Sequence, residues 1–508
     1  MLGRVMTAAL YGTRGLPVSV ESHVGAGLPA FITVGLPDTA VRESRVRVEA
    51  ALKNSGFALP SRRVIVNLAP ADVKKEGAAY DFAIALATLS GLEVIPQDKL
   101  NDLLVVGELG LDGSLRAVSA TVIYAKLCQE LGFKGLILPA ANQADYLPIA
   151  DIECYYVNTL SQVVNGLNSQ EGLSAYRPSS PPSVVSGSAS SSACFSEVRG
   201  LSQVKRALQI AAIGGHHVLV SGPPGVGKTM LIERMPSILP ALSDAEWLEV
   251  LSLYALSEET PHVNKQRPFR APHHSLSTVA LIGGGSSPRP GEISLAHRGI
   301  LFLDEFSEFK TEAINALRQP MESGQIMISR AQRKVVFDAV FQLIAATNPC
   351  PCGYLGHPTK ACRCTKTSLE RYRTRLIGPV SDRFDLSVKV SADASSWGST
   401  HSSLAEERSE TMMTRIAHAW QFRQTRAQLG FNRDLKGDAI KQHCGLSDSS
   451  QKLLFKAANQ FSLSSRGIDR VLRVARSIAD LRASCSIEDQ DLAEALQFRH
   501  DFVNHALF

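Results

Sequence analysis

Gly222, Pro223, Pro224, Gly225, Val226, Gly227, Lys228 and Thr229 run consecutively, after the apolar stretch His217–Ser221 and before Met230–Arg234. Strand, glycine loop and helix are therefore expected in that order, the context a phosphate-binding loop requires. Glycines let successive backbone N–H groups close around phosphate oxygens, Lys228 neutralises the β- and γ-phosphates, and the Thr229 hydroxyl can hold a magnesium ion. The residues predict binding of a nucleoside triphosphate. A second set lies downstream, where the apolar run from Gly299 ends in Asp304 and Glu305. Asp304 is placed to hold the hydrated magnesium, and Glu305 to polarise a water for attack on the γ-phosphate. A third apolar run, from Val340, ends at Asn348, whose amide a neighbouring strand would deliver beside that water. Three strand ends converging on one phosphate predict hydrolysis rather than binding alone.

Two further groups carry chemistry. Cys350 with Cys352 and Cys362 with Cys364 form two CxC pairs separated by nine residues. Four thiolates in a short loop of a reducing compartment suit a tetrahedral, structural Zn2+ site, with two disulfides as the other reading. The stretch Gln325–Asp338 has the pattern of a hairpin, and its basic tip offers Arg330, Arg333 and Lys334. Such a cluster tracks phosphates without reading sequence, although a solvated turn has the same composition.

The elements that must position these groups follow from composition and punctuation. A chain of 508 residues exceeds what one core organises, so about three domains are expected. With 44% hydrophobic and 20% charged residues it has the composition of an ordinary globular protein, and a formal charge of +5 permits a polyanionic partner without demanding one. No apolar run approaches the ~20 residues that span a bilayer, and the start lacks a signal-peptide core. A cytoplasmic protein with no membrane partner is the expectation. Serine- and proline-rich residues 168–193 read as a flexible linker between an αβ domain over 1–167 and a nucleotide-binding domain over 194–390. Residues 391–508 have helical periodicity with charged faces and read as a helical lid.

The segments Arg267–Ser275, Gly283–Gly285, Pro290–His297 and Asn348–Gly353 resemble the ComM (YifB) family of magnesium-chelatase-like AAA+ ATPases. The resemblance covers nearly the whole chain. It implies an α/β fold: an AAA+ P-loop ATPase core with an amino-terminal Lon-protease-like αβ domain and a carboxyl-terminal helical lid. It also implies a homohexameric ring that hydrolyses ATP with Mg2+ and drives branch migration of DNA in natural transformation, with branched or single-stranded DNA as partner and recombinase or loading factors as further ones. On its pattern Asn348 looks like the sensor residue, Arg383 like the arginine finger that reaches a neighbour's γ-phosphate, and Arg470, ahead of Arg466 or Arg473, like the second sensor. Inserts that project into the ring pore in this clade would carry Arg267 and Arg270 in one case and Arg330, Arg333 and Lys334 in the other, all facing DNA. His273 and His274, in the first insert, are expected on opposite faces of a strand, in a polar or DNA-facing role rather than as joint metal ligands.

Asn67–Asp81 and Gly107–Gly113 resemble the peptidase domain of Lon proteases, and registering Lys75–Gly77 and Gly107–Glu108 on that pattern puts Ala79 at the nucleophile position and Val122 at the lysine position, so proteolysis is expected to be lost. Two readings compete with a DNA motor. One is a chelatase-type ATPase subunit acting on a protein partner, which shares the core; the other is an ATP-dependent protease, which Ala79 and Val122 weaken.

Overall fold

The computed structural model describes residues 1–57, 59, 62–145, 149, 152–176, 193–257, 259, 265–285, 288–330, 333–376, 380–391, 406–428 and 430–503. They fall into two units. One gathers Met1–Ser186 with Asp244–Asn264 and Ser329–Val336, and the other gathers Gly187–Ser243, Lys265–Ile328 and Phe337–Phe508.

The first unit is built on a seven-stranded mixed sheet in the order Ala30–Val34, Arg63–Ala69, Arg14–Gly25, Leu2–Tyr11, Leu103–Val105, Gly135–Pro139, Glu153–Val157. Alternation sets its inner face: Val64, Val66 and Leu68 are buried while Arg63 is exposed. The helix Asp81–Gly91 is buried at every residue, and its small side chains let it lie directly on the first strand. A Cβ at Gly3 would stand 2.1 Å from the Ala87 carbonyl oxygen, so only glycine permits this approach. Val122 is buried, and Ala79 packs beside a small apolar cluster that includes Leu104, Val106 and Tyr124. Lys75 donates to the Pro70 carbonyl and Ser90 to Gln97 Oε1. The domain extends past the expected boundary at residue 167, because the Tyr176 N–H bonds the Cys154 carbonyl at 2.8 Å and its ring meets Tyr156 edge-on. The remainder of the expected linker, residues 177–192, lies outside the described residues.

The second unit holds a five-stranded sheet in the order Phe269–Arg270, Ile300–Leu303, Gln342–Thr347, Val218–Ser221, Leu386–Lys389, parallel throughout. The three central strands are buried at every position, which is why their sequences are continuous apolar runs without alternation. The carboxyl-terminal helices expected as a lid pack against this sheet. Met412, Ile416, Val471, Val474 and Ile478 belong to one apolar cluster with Val218, Ile344 and Leu386. A buried polar knot reinforces the join. His216 Nε2 lies 2.8 Å from Ser477 Oγ and His216 Nδ1 3.3 Å from Asp385 Oδ2, while Asn432 Nδ2 donates to Ser477 Oγ at 2.9 Å and to Asp480 Oδ2 at 2.8 Å. Gln325–Arg330 and Arg333–Asp338 pair as the expected two-stranded ribbon.

Candidate nucleotide and metal sites

Parallel register brings the predicted groups to one edge. Ser221 lies opposite Thr347, and Leu303 opposite Ala345, so the glycine loop, Asp304 and Asn348 all leave the sheet at its carboxyl ends. That is where ligands bind open α/β sheets. A cavity of about 760 Å3 opens there, lined by Gly225, Lys228, Thr229, Asp304, Glu305 and Asn348 among others. Gly225 and Gly227 take φ of +82° and +88°, which folds the loop over Lys228. Lys228 Nζ donates to the carbonyls of Gly222 and Pro223 at 2.5 and 2.8 Å and to Asn348 Oδ1 at 3.4 Å. Burial pulls its pKa down to about 8, against the opposing charge of Asp304.

Thr229 Oγ1 donates to Asp304 Oδ2 at 2.7 Å, so the two expected magnesium ligands are adjacent hard oxygens, a donor set that fits Mg2+. Glu305 has φ of +49°, rare outside glycine, and its side chain stands 54% exposed at the cavity edge. A non-glycine residue held in that region beside a site is a strained position that the surroundings enforce. His274 Nδ1 lies 3.3 Å from Glu305 Oε2. The expectation for the histidine pair fails here: they sit at a turn rather than in a strand, and their rings pack 4.1 Å apart. No spacing rule links His274 to Glu305, since the contact joins separate segments.

Among the described residues the cavity lining includes neither Arg383 nor Arg470. Arg383 ends the short turn Ser381–Arg383 and is ion-paired with Glu322. Arg470 Nε is 3.9 Å from Asp385 Oδ1, with Asp382 and Arg383 close enough to act on its charge. Burial alone would raise the Asp385 carboxyl, but the His216 hydrogen bond and the neighbouring charges hold it well below the usual carboxylate range. Arg473 donates instead to the Arg433 carbonyl.

The four cysteines of the CxC pairs meet as expected, with every Sγ within 4.8 Å of the others. Cys350 Sγ is 3.4 Å from Cys352 Sγ and 3.7 Å from Cys362 Sγ, and Cys352 is 3.5 Å from Cys362. A tetrahedral zinc with Zn–S of about 2.3 Å needs sulfur separations of about 3.8 Å, so the cluster fits that ion. Burial would raise the Cys352 thiol, yet the backbone N–H groups of Tyr354 and Arg363 outweigh it and bring it down to about 6. All four are free thiols, so the disulfide reading fails.

The basic candidates divide. Arg267 is not a surface contact: it is 6% exposed, donates to the carbonyls of Pro240 and Arg298, and stacks over Trp420 at 5.0 Å. Arg270 is held by both oxygens of Glu292 at 2.7 Å, which offsets its charge within the fold. In the hairpin Lys334 is exposed; the side chains of Arg330 and Arg333 lie outside the described residues. No described helix is long and apolar enough to cross a membrane.

The parallel sheet, the glycine loop and the acids on the adjacent strand end define a P-loop ATPase of the AAA+ magnesium-chelatase type. Residues 194–396 match the family described as magnesium chelatase, subunit ChlI, and residues 406–499 match the C-terminal part of that subunit. Residues 20–142 match subunit ChlI of Mg-chelatase. The chain is 41% identical over 505 residues to competence protein ComM of Haemophilus influenzae, covering 98% of this chain and 97% of the relative. It is 41% identical over 502 residues to the uncharacterized protein YifB of Escherichia coli, with the same coverage. A shorter match, 26% identical over 178 residues, covers 30% of this chain and 50% of the magnesium-chelatase 38 kDa subunit of Rhodobacter capsulatus. The chain belongs to the ComM (YifB) family of magnesium-chelatase-like AAA+ ATPases.

Proposed function

We propose that this chain is a cytoplasmic, ATP-driven DNA motor that assembles as a homohexameric ring and drives branch migration of recombination intermediates, promoting integration of incoming DNA in natural transformation. The observation that carries the reading is the 41% identity, along nearly the full length of both chains, to a relative named as a competence protein. The meeting of Lys228, Thr229, Asp304, Glu305 and Asn348 at one cavity supports the ATPase part.

In this mechanism the glycine loop and Lys228 grip the phosphates of ATP, replacing the carbonyl contacts that Lys228 makes without them. Thr229 and Asp304 would hold a magnesium ion, which would supply positive charge to the triphosphate. Glu305 accepts the proton of the attacking water, and Asn348 orients that water. Arg383, with Arg470 beside it, acts on the γ-phosphate of a neighbouring copy, a role that suits a forked, permanently charged side chain. Cys350, Cys352, Cys362 and Cys364 would hold a zinc ion in a structural role. Arg330, Arg333 and Lys334 contact the phosphates of branched or single-stranded DNA with little sequence preference.

The test is ATP-dependent strand displacement from a mobile three- or four-way junction, with Glu305→Gln as control. Displacement by the wild type alone is expected. Robust ATP hydrolysis without displacement would instead favour a chelatase-type subunit that remodels a protein partner, a second reading that the match to the 38 kDa chelatase subunit supports.

A further inference from the structure

One phenol ties the cysteine loop to the nucleotide site. The Tyr372 hydroxyl donates to the Asn348 carbonyl at 2.7 Å, and it lies 3.0 Å from Thr347 Oγ1 and 3.1 Å from Ser307 Oγ. It therefore touches the end of the strand that delivers Asn348 and the turn that follows Asp304 and Glu305. Burial raises its pKa, which keeps the phenol a neutral donor.

The chain around it forms a closed path. Asn348 is followed by Cys350, the loop runs to Cys364, and the helix Lys366–Leu376 then brings Tyr372 back to the Asn348 carbonyl. In that helix, among the residues with described side chains, only Tyr372 is buried. Among its described side chains the helix thus lays only this phenol into the core. Its place is set at one end by the cysteine cluster and in the middle by the phenol.

We propose that Tyr372 is a positioning residue for Asn348 and that, through it, filling of the cysteine site by a metal sets the rate of ATP hydrolysis. This rests on the reading of the chain as an ATPase with a four-cysteine metal site. A metal that closes the loop fixes the start of the helix, and the fixed helix holds the phenol on the Asn348 carbonyl. Without the metal the helix loses the anchor at its start, and the Asn348 amide loses its alignment while Lys228 keeps its two contacts to the Gly222 and Pro223 carbonyls.

The experiment uses the full chain and three readouts: zinc content by elemental analysis, affinity for a fluorescent ATP analogue, and kcat for ATP hydrolysis. Tyr372→Phe is expected to retain zinc and to bind the analogue within about twofold of wild type, but to lower kcat about tenfold, the rate equivalent of one lost hydrogen bond. Chelator-stripped wild type and Cys352→Ser are expected to lose zinc and show the same fall in kcat, again with little change in analogue affinity. Stripping Tyr372→Phe should then cost nothing further, because both changes act through one contact. An undiminished kcat in Tyr372→Phe, or losses that multiply when the variant is stripped, overturns the coupling while leaving the ATPase reading intact. A wild type that hydrolyses ATP but contains no zinc overturns the metal site and the coupling together. Loss of analogue affinity in step with kcat would mark Tyr372 as a merely structural anchor and also overturns the proposal. Chelation of the wild type needs no substitution, so a Cys352→Ser chain that fails to fold does not remove the test.

Discussion

Lys228 Nζ spends its donors on the carbonyls of its own loop, and burial has brought its pKa to about 8. A triphosphate favours the charged ammonium strongly, so binding should be accompanied by proton uptake wherever the free lysine is partly neutral. Calorimetry in buffers of different ionisation heat should find little uptake at about pH 7 and most of a proton at about pH 9, with affinity falling as pH rises through that range. Equal uptake at both would return Lys228 to its ordinary value, and Lys228→Ala should abolish nucleotide binding altogether. At this scale the sequence was legible wherever chemistry is written in consecutive residues: the glycine loop, Asp304 with Glu305, and the CxC pairs come together as their spacing implies. It was misleading where a side chain's role depends on a partner far along the chain. Arg267 and Arg270 read as free cations until Trp420 and Glu292 meet them, and His274 shows no sign of Glu305.

The ribbon Gln325–Asp338 is the element most exposed to test. Changing Arg330, Arg333 and Lys334 together to Ala should remove DNA stimulation of ATP turnover and flatten the salt dependence of DNA affinity by a slope of roughly 2 to 3. Binding to forked DNA measured across a salt series checks this, and an unaltered slope would send the phosphate contacts elsewhere. The buried strands could be read from sequence because burial on both faces leaves an apolar run without alternation, as in Leu343, Ile344, Ala345 and Ala346. The union of the carboxyl-terminal helices with the sheet could not. Helical periodicity with charged faces shows the helices but not what they pack on, and the join draws on His216, Asp385, Asn432 and Ser477, polar residues from four distant segments.

For the second unit as a whole, the buried His217 makes stability depend on acid. His217 Nδ1 accepts the Leu343 N–H at 2.9 Å, and burial pulls its pKa down to about 3. The unfolded chain takes up that proton below about pH 6.5 and the native unit does not until far lower. Stability should therefore be full above that value and fall by up to about 1.4 kcal/mol per pH unit as pH drops toward 3. Denaturant midpoints against pH should show the decline, and His217→Gln should flatten it. Across copies, a mixture of Lys228→Ala chains, which keep Arg383, and Arg383→Ala chains, which keep a nucleotide site, should regain part of the ATPase activity that each lacks alone. No regain on mixing would remove the arrangement in which Arg383 serves a neighbour. The knot of His216, Asp385 and Ser477 bears on how such a machine would move. His216 leads into the strand before the glycine loop, Asp385 into the strand beside it, and Ser477 sits on a helix that carries Arg470. These parts are cross-braced by buried hydrogen bonds and one shared core. In the proposed ring, a subunit braced in this way would turn as a crank, its movement falling at the borders between copies and not at a hinge between its own helices and sheet.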